Sequence, residues 1–164
     1  LPISSIIIDG YNLIGVHHKD LRKERDLLVD SLIEYRRRKG HDITLVFDGW
    51  KTGEGKENQM VTGGIRVIYS RIGENADSVI KRIISSDRRE WIVVTGDRDI
   101  SQHAWAVGSV PVSTEDFLKA VESEEASGSV YEECDQEYMS LPRKGNPRRH
   151  SKKEKAIMRV LKKL

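Results

Sequence analysis

The sequence predicts an α/β protein: a three-layer α/β/α sandwich around a mainly parallel sheet, with a basic C-terminal extension. Three observations carry that expectation. Short apolar runs rich in β-branched residues stand at 3–9, 43–47, 65–69, 91–95 and 109–112, with helical patterns between most of them. Several of these runs are continuous rather than alternating, as in Ile6-Ile7-Ile8, which suits strands covered on both faces. Three of them lead directly into acids: Asp9, Asp48 and Asp97. In open α/β sheets the carboxyl ends of the strands are where ligands bind.

The first strand, 3–9, ends in Asp9-Gly10-Tyr11-Asn12, where a tight turn or a close ligand approach to the backbone is possible. Residues 19–39 predict an amphipathic helix with Leu21, Leu28, Leu32 and Tyr35 on its apolar side and Gly40 as its stop. The run Arg36-Arg37-Arg38-Lys39 complements that helix's dipole. The second strand, 43–47, runs into Asp48-Gly49. Residues 50–64 carry four glycines and read as a mobile loop. After the third strand, 65–69, a helix is expected from about Asn75 to Ser86, with Asp77 in its first turn. The strand at 91–95 leads through Gly96 into Asp97, Asp99 and a short helix over 100–107. A fifth strand, 109–112, precedes Ser113-Thr114-Glu115-Asp116, which opens a helix in the manner of a capping box. Residues 122–137 are acidic and pattern-poor, and 150–164 can form a basic amphipathic helix through Ile157, Val160, Leu161 and Leu164. The expected division is a domain over 1–122, an acidic linker over 123–142 and a basic tail or helix over 143–164.

The length of 164 residues suits one domain with a real core. No apolar run has the length of a membrane span, no signal peptide is visible, and the single cysteine, Cys134, excludes an internal disulfide. A cytoplasmic protein is the expectation, without a membrane partner. The net charge of +2 hides an asymmetry. From Arg143 onward ten Lys and Arg face one acid, whereas the rest of the chain has 18 basic and 25 acidic residues. An acidic body with a basic tail fits a polyanionic partner.

Right-handed crossovers bring the strand tips to one edge, so that Asp9, Asp48 and Asp97 gather there, joined by Asp77 and Asp99 from adjoining helix starts. Each acid alone is explained as a helix cap or dipole partner. Five together are not, because neighbouring carboxylates repel and something must neutralise them. All-oxygen donors favour Mg²⁺ or Mn²⁺ over zinc, and no Cys/His ligand spacing is present. Such an ion can activate water and clamp a phosphate oxygen. Asn12 is a candidate for orienting a phosphate or ribose, and Lys51, Arg71 and Lys81 for phosphate contacts. The basic tail, with Lys-Gly-Asn-Pro-Arg-Arg at 144–149, adds Arg148 and Arg149 and a salt-dependent attraction to nucleic acid.

Ile-Ile-Ile-Asp-Gly-Tyr-Asn-Leu-Ile at 6–14 resembles the opening of NYN domains, a branch of the PIN-like nucleases. Val-Phe-Asp-Gly at 46–49, Gly-Glu-Asn-Ala-Asp-Ser at 73–78 and Val-Val-Thr-Gly-Asp-Arg at 93–98 follow in the family's order. The likeness is greatest to the bacterial YacP-like group and covers about 3–121. It implies a PIN-like sandwich and a metal-dependent endoribonuclease, with RNA as substrate and ribosome-engaged messenger RNA as a candidate. It also implies a core site of Asp9, Asp77 and Asp97, supported by Asp48 and Asp99, with Asn12 contacting substrate or positioning Asp9. Asp77 departs from the Glu of many PIN-like proteins, and Asn75 stands where the nearest group has Thr. The competing expectation is a non-catalytic RNA- or ribosome-binding module that works through the basic tail. Phosphoryl transfer on a receiver-like fold fits less well, since Asp9 lacks both an Asp-x-Asp pattern and an acidic neighbour. Oligomeric state is not legible.

Overall fold

The computed structural model describes residues 4–15, 20–49, 58–126 and 150–164. Its elements in chain order are β1 (Ser5–Asp9), α1 (Gly10–Ile14), α2 (Leu21–Lys39), β2 (Asp42–Phe47), β3 (Asn58–Thr62) and β4 (Ile65–Tyr69), then α3 (Ala76–Ser86), β5 (Trp91–Val94), α4 (Arg98–Ala106), β6 (Val110–Val112), α5 (Thr114–Ala126) and α6 (Lys152–Leu161). The strands form one six-stranded sheet in the order β3-β4-β2-β1-β5-β6. All neighbours pair parallel except β3, which runs antiparallel to β4. The expected α/β/α class is therefore what the chain adopts.

Alternation along the strands builds two cores. Ile6 and Ile8 of β1 join Leu45 and Phe47 of β2 and Val94 of β5 in a core capped by α1, α2, α5 and α6. Ile7, Val46 and Val93 belong to the opposite core, against Val79, Ile80 and Ile84 of α3 and Ile100 and Ala104 of α4. Ile6, Ile7 and Ile8 are fully buried, so each contributes roughly 2–3 kcal/mol by burial. That double burial is why these strands read as continuous apolar runs. No described helix is long and apolar enough to cross a membrane.

One expectation fails within 50–64. Residues 58–62 are not loop but strand β3, paired from Asn58↔Tyr69 to Thr62↔Ile65. An edge strand has little to bury, and Gln59 to Thr62 are exposed, so no apolar pattern marks it. The glycines that suggested a loop include the hairpin turn. Gly63 and Gly64 have φ of 58° and 85°, the paired positive values that a two-residue hairpin requires.

The C-terminal helix α6 packs into the same core as α2 and α5, with Val160 and Leu164 buried. Ser151 and Glu154 close its first turn as a capping box. Its far end is tied to α2 and β2. Tyr35 Oη donates to the Leu164 carbonyl at 2.8 Å. His41 Nδ1 accepts from the Ser4 N–H at 3.2 Å, which leaves Nε2 to donate to the Lys163 carbonyl at 2.9 Å. Only a neutral ring satisfies both contacts, and burial pushes the His41 pKa below 6.5.

Two outcomes are expected. Val160→Ala lowers unfolding stability by about 1–3 kcal/mol, measured by urea denaturation. Because the folded pKa of His41 is lowered, its contribution is complete above about pH 6.5 and is lost as pH falls through the folded value. Replacing His41 with Asn flattens that acid-side slope in thermal melts at pH 5 to 7.

Candidate active site

β1 is bonded on both sides, by β2 and β5, and stands where the strand order reverses: β2 and β4 lie to one side of it, β5 and β6 to the other. Open α/β sheets bind ligands in the crevice at the carboxyl ends of such strands. Asp9 ends β1 at this point, and Asp97 follows β5 beside it. Asp48 follows β2 on the other side. Asp77 comes from the first turn of α3 and Asp99 from the first turn of α4.

The local geometry is built by small residues and strand-tip hydrogen bonds. Gly10 follows Asp9 with its Cα against the Phe47 ring, and Gly49 lies so close to the Ser70 carbonyl that a Cβ at either position would overlap its neighbour. Gly49 N donates to Ser70 Oγ at 3.0 Å, and Ser70 Oγ donates to the Glu74 carbonyl at 2.7 Å. This clasp fixes the tips of β2 and β4. Asp48 Oδ1 accepts from the Ala76 N–H at the start of α3. Asn75 caps α3 by accepting from Ser78 N at 2.9 Å, which gives the unexpected Asn a structural reason. Asp97 caps α4, accepting from Asp99 N at 2.7 Å, while its own N–H donates to Thr95 Oγ1 at 3.1 Å. Asn12 Oδ1 accepts from Gly96 N at 2.9 Å and so ties α1 to the tip of β5.

Electrostatics mark the acids as one group. Asp9 is 9% exposed, and its pKa is raised to about 7. Burial is the main cause; the Asn12 backbone N–H partly offsets it, and Asp48, Asp77 and Asp97 raise it further. Asp77 is also raised, by burial first and then by Asp97, with Lys81 opposing and Asp99 and Asp48 adding to the rise. Asp48, Asp77 and Asp97 thus act on Asp9, and Asp99 joins the group through Asp77. Among the described residues, however, no three His, Cys, Asp or Glu side chains are close enough to ligate one ion together.

The expected phosphate contacts fare unequally. Lys81 Nζ stands 4.0 Å from Asp77 Oδ2, an i,i+4 ion pair. Arg71 is mostly exposed beyond the tip of β4 and pairs with Glu74 at 3.5 Å, which Arg82 also holds at 2.8 Å. Lys51, Arg148 and Arg149 lie outside the described residues, as do His17, His18, Trp50 and Cys134. The structure adds a cation that the sequence did not single out. Arg25 of α2 reaches the Tyr11 hydroxyl at 3.4 Å, and its guanidinium carbon is 5.7 Å from the Tyr69 ring centroid. Tyr11, Phe47 and Tyr69 form a row with centroids 4.9 and 5.6 Å apart. In sequence, Arg25 is one charge among many on a solvated helix face.

The profile of the YacP-like NYN domain matches residues 6–163. The chain belongs to the YacP-like NYN family. The match runs through α6, so the family's domain includes the C-terminal helix. The chain is 27% identical over 128 residues to the YacP protein of Bacillus subtilis (strain 168), covering 72% of this chain and 75% of that one. Its fold is similar to the crystal structure of Rae1 (YacP) from Bacillus subtilis, with a TM-score of 0.60 at 25% identity over 77% of each chain. A mutant of that protein gives a TM-score of 0.64 at 22% identity, over 76% of this chain and 79% of the other. This family places the chain among the PIN-like nucleases, which generally depend on divalent metal.

The raised pKa of Asp9 has a stability consequence. The folded state holds the Asp9 proton up to about pH 7, whereas the unfolded chain releases it near 3.8, so stability falls as pH rises between those values. In EDTA, Asp9→Asn is therefore expected to stabilise the protein at pH 8 by on the order of 2–4 kcal/mol, with the gain shrinking toward pH 4. Thermal or urea unfolding of both proteins across that range checks it.

Proposed function

We propose that this protein is an endoribonuclease that uses Mg²⁺ or Mn²⁺ at the acid cluster to hydrolyse RNA phosphodiester bonds. The observation that carries the reading is the buried Asp9 carboxyl, which Asp48, Asp77 and Asp97 act upon, at the switch point of the sheet. Burial first, and then repulsion among the acids, raises Asp9 and Asp77, and a cation there offsets both by stabilising the charged carboxylates. The donor set fits such an ion. It is all oxygen, which suits Mg²⁺, an ion that keeps several waters and takes one or two carboxylates directly. When bound, the ion supplies Lewis-acid stabilisation of the phosphate and lowers the pKa of a water.

The chain's own residues take distinct parts in this reading. One or two of Asp9, Asp77 and Asp97 ligate the ion directly and the remainder hold its waters, and Asp48 and Asp99 set the surrounding charge, Asp48 while accepting from the N–H at the start of α3. Asn12 positions the tip of β5 through Gly96 and presents its amide to a phosphate or ribose. Arg71, Lys81 and Arg25 face the backbone charge of the RNA, with the half-buried Tyr11 and Tyr69 beside Arg25 as surfaces for a base. The basic segment 143–164, with Arg148 and Arg149, adds sequence-independent attraction to RNA. Messenger RNA, engaged by ribosomes, is the proposed natural substrate.

Asp97→Asn is the test, because Asn caps a helix as well as Asp and leaves α4 in place. On a long messenger-like RNA, with and without translating ribosomes, wild type is expected to cut in Mg²⁺ or Mn²⁺ and not in EDTA. The variant is expected to lose at least about 100-fold in rate with unchanged circular dichroism. Cutting by the variant at the wild-type rate overturns the site. If wild type cuts under none of these conditions yet binds RNA or ribosomes salt-sensitively, the protein is a binding module.

A further inference from the structure

The edge of the sheet opposite the acids gathers charge of the other sign. Strands β1, β2, β4 and β5 run parallel, so their amino ends share that edge, where Ser5, Asp42 and Trp91 stand level. Helix α2 ends there, since only Gly40 and His41 separate Lys39 from β2. Helix α6 ends there too, because Tyr35 and His41 bond the carbonyls of Leu164 and Lys163. One turn earlier on α6, Arg159 bonds Glu90, just ahead of β5. At about 3.3 Å per strand residue, this edge lies roughly 13–20 Å from the acids.

The two abutting helix ends bring six cations together: Arg36, Arg37, Arg38 and Lys39 from α2, and Lys162 and Lys163 from α6. The acids beside them are Glu34, which pairs with Arg37 at 3.0 Å, and Asp42. At about 100° per residue, Arg36 and Arg38 fall on opposite sides of Tyr35. Arg36 lies against Gly64 of the β3–β4 hairpin, whereas α6 packs at β6, at the other end of the sheet, so Arg38 stands on the side toward α6. Arg37, Arg38 and Lys162 are exposed. A helix dipole accounts for cations at either end alone. It does not account for two such ends set side by side, where like charges repel.

We propose that this edge docks the phosphate backbone of double-helical RNA, away from the strand that is cut. The partner, RNA, rests on the reading above; the contact itself needs neither the acids nor an ion. The charge selects a polyanion. The rings select a helix over a single strand: Tyr35 and His41, which lie between the two helix ends, are each 2% exposed and offer no face to a base. Single strands are held by stacking on aromatic side chains, whereas a duplex is recognised through its shape and backbone. The half-buried Tyr11 and Tyr69 belong to the acid edge, so the two edges divide the RNA between them, helix on one and single strand on the other.

The test is binding of the full chain to an RNA duplex of about 16 base pairs, in EDTA so that nothing is cut, followed by fluorescence anisotropy. Salt is held at about 0.15 M, where screening beyond about 8 Å confines the effect of a substitution to direct contacts. The triple variant Arg37→Gln, Arg38→Gln, Lys162→Gln is expected to bind the duplex about tenfold more weakly, with a salt slope smaller by about 2–3 and unchanged circular dichroism. Its affinity for a uridine single strand of the same length is expected to change less than about twofold. Duplex affinity that the triple variant leaves unchanged overturns the proposal, and so does an equal loss for both RNAs. Arg71→Gln with Lys81→Gln, at the acid edge, is expected to leave duplex binding as it was; a loss there as large as the triple variant's places the helix across the acids and overturns it too. Wild type that ignores the duplex but binds phosphatidylserine vesicles overturns it in favour of a lipid surface. No cleavage is read, so failure of the nuclease reading leaves each of these outcomes intact.

Discussion

Asp9 ends a strand that is bonded on both sides and buried on both faces, so its carboxyl leaves water at the point where three other acids converge on it. Burial first, and repulsion after it, disfavours the charged carboxylate. The backbone of α1 offers Asp9 an N–H from Asn12, and Asp48 and Asp97 each accept a backbone N–H at a helix start. These contacts stabilise charge in part and also aim the side chains, because a capping carboxylate has little freedom left. What they leave unneutralised is the free energy available to a bound cation.

The same economy of parts shows in how the edge is held. Asn12 bonds Gly96 and Ser70 bonds Gly49, so the tips of β1, β5, β2 and β4 are joined by side chains rather than by packing. Packing does its work one layer below, through Phe47, Tyr11 and Tyr69 on one face and Ile7, Val46 and Val93 on the other. On the far side of the molecule Tyr35 and His41 fasten the end of α6, which extends the core beyond the strands that the sequence marks most clearly.

What could be read from the sequence follows from burial. Ile6-Ile7-Ile8 and Trp91-Ile92-Val93-Val94 announce strands because both faces are covered, and the acids after them stand out against that apolar background. Residues 58–62 give no such signal, since an edge strand held by a hairpin needs only backbone bonds and two glycines. The docking of α6 was also hidden. Its Ile157, Val160 and Leu161 show an amphipathic face, but the partners Tyr35 and His41 lie more than a hundred residues earlier. Arg25 was illegible for a similar reason, as only the folded chain sets it against Tyr11 and Tyr69. The acids' gathering was legible because topology alone brings strand tips together; which of them hold an ion is a matter of ångströms, which spacing in sequence does not specify.

The most direct measurement of the central claim is the proton count on cation binding. Calorimetric titration of the protein with Mn²⁺ at about pH 6, in buffers of differing ionisation enthalpy, gives the number of protons released. If the ion sits at a cluster whose Asp9 holds its proton up to about pH 7, binding releases close to one proton, and Asp9→Asn abolishes that release. Binding without proton release, or release that persists in Asp9→Asn, would place the ion elsewhere and contradict the account.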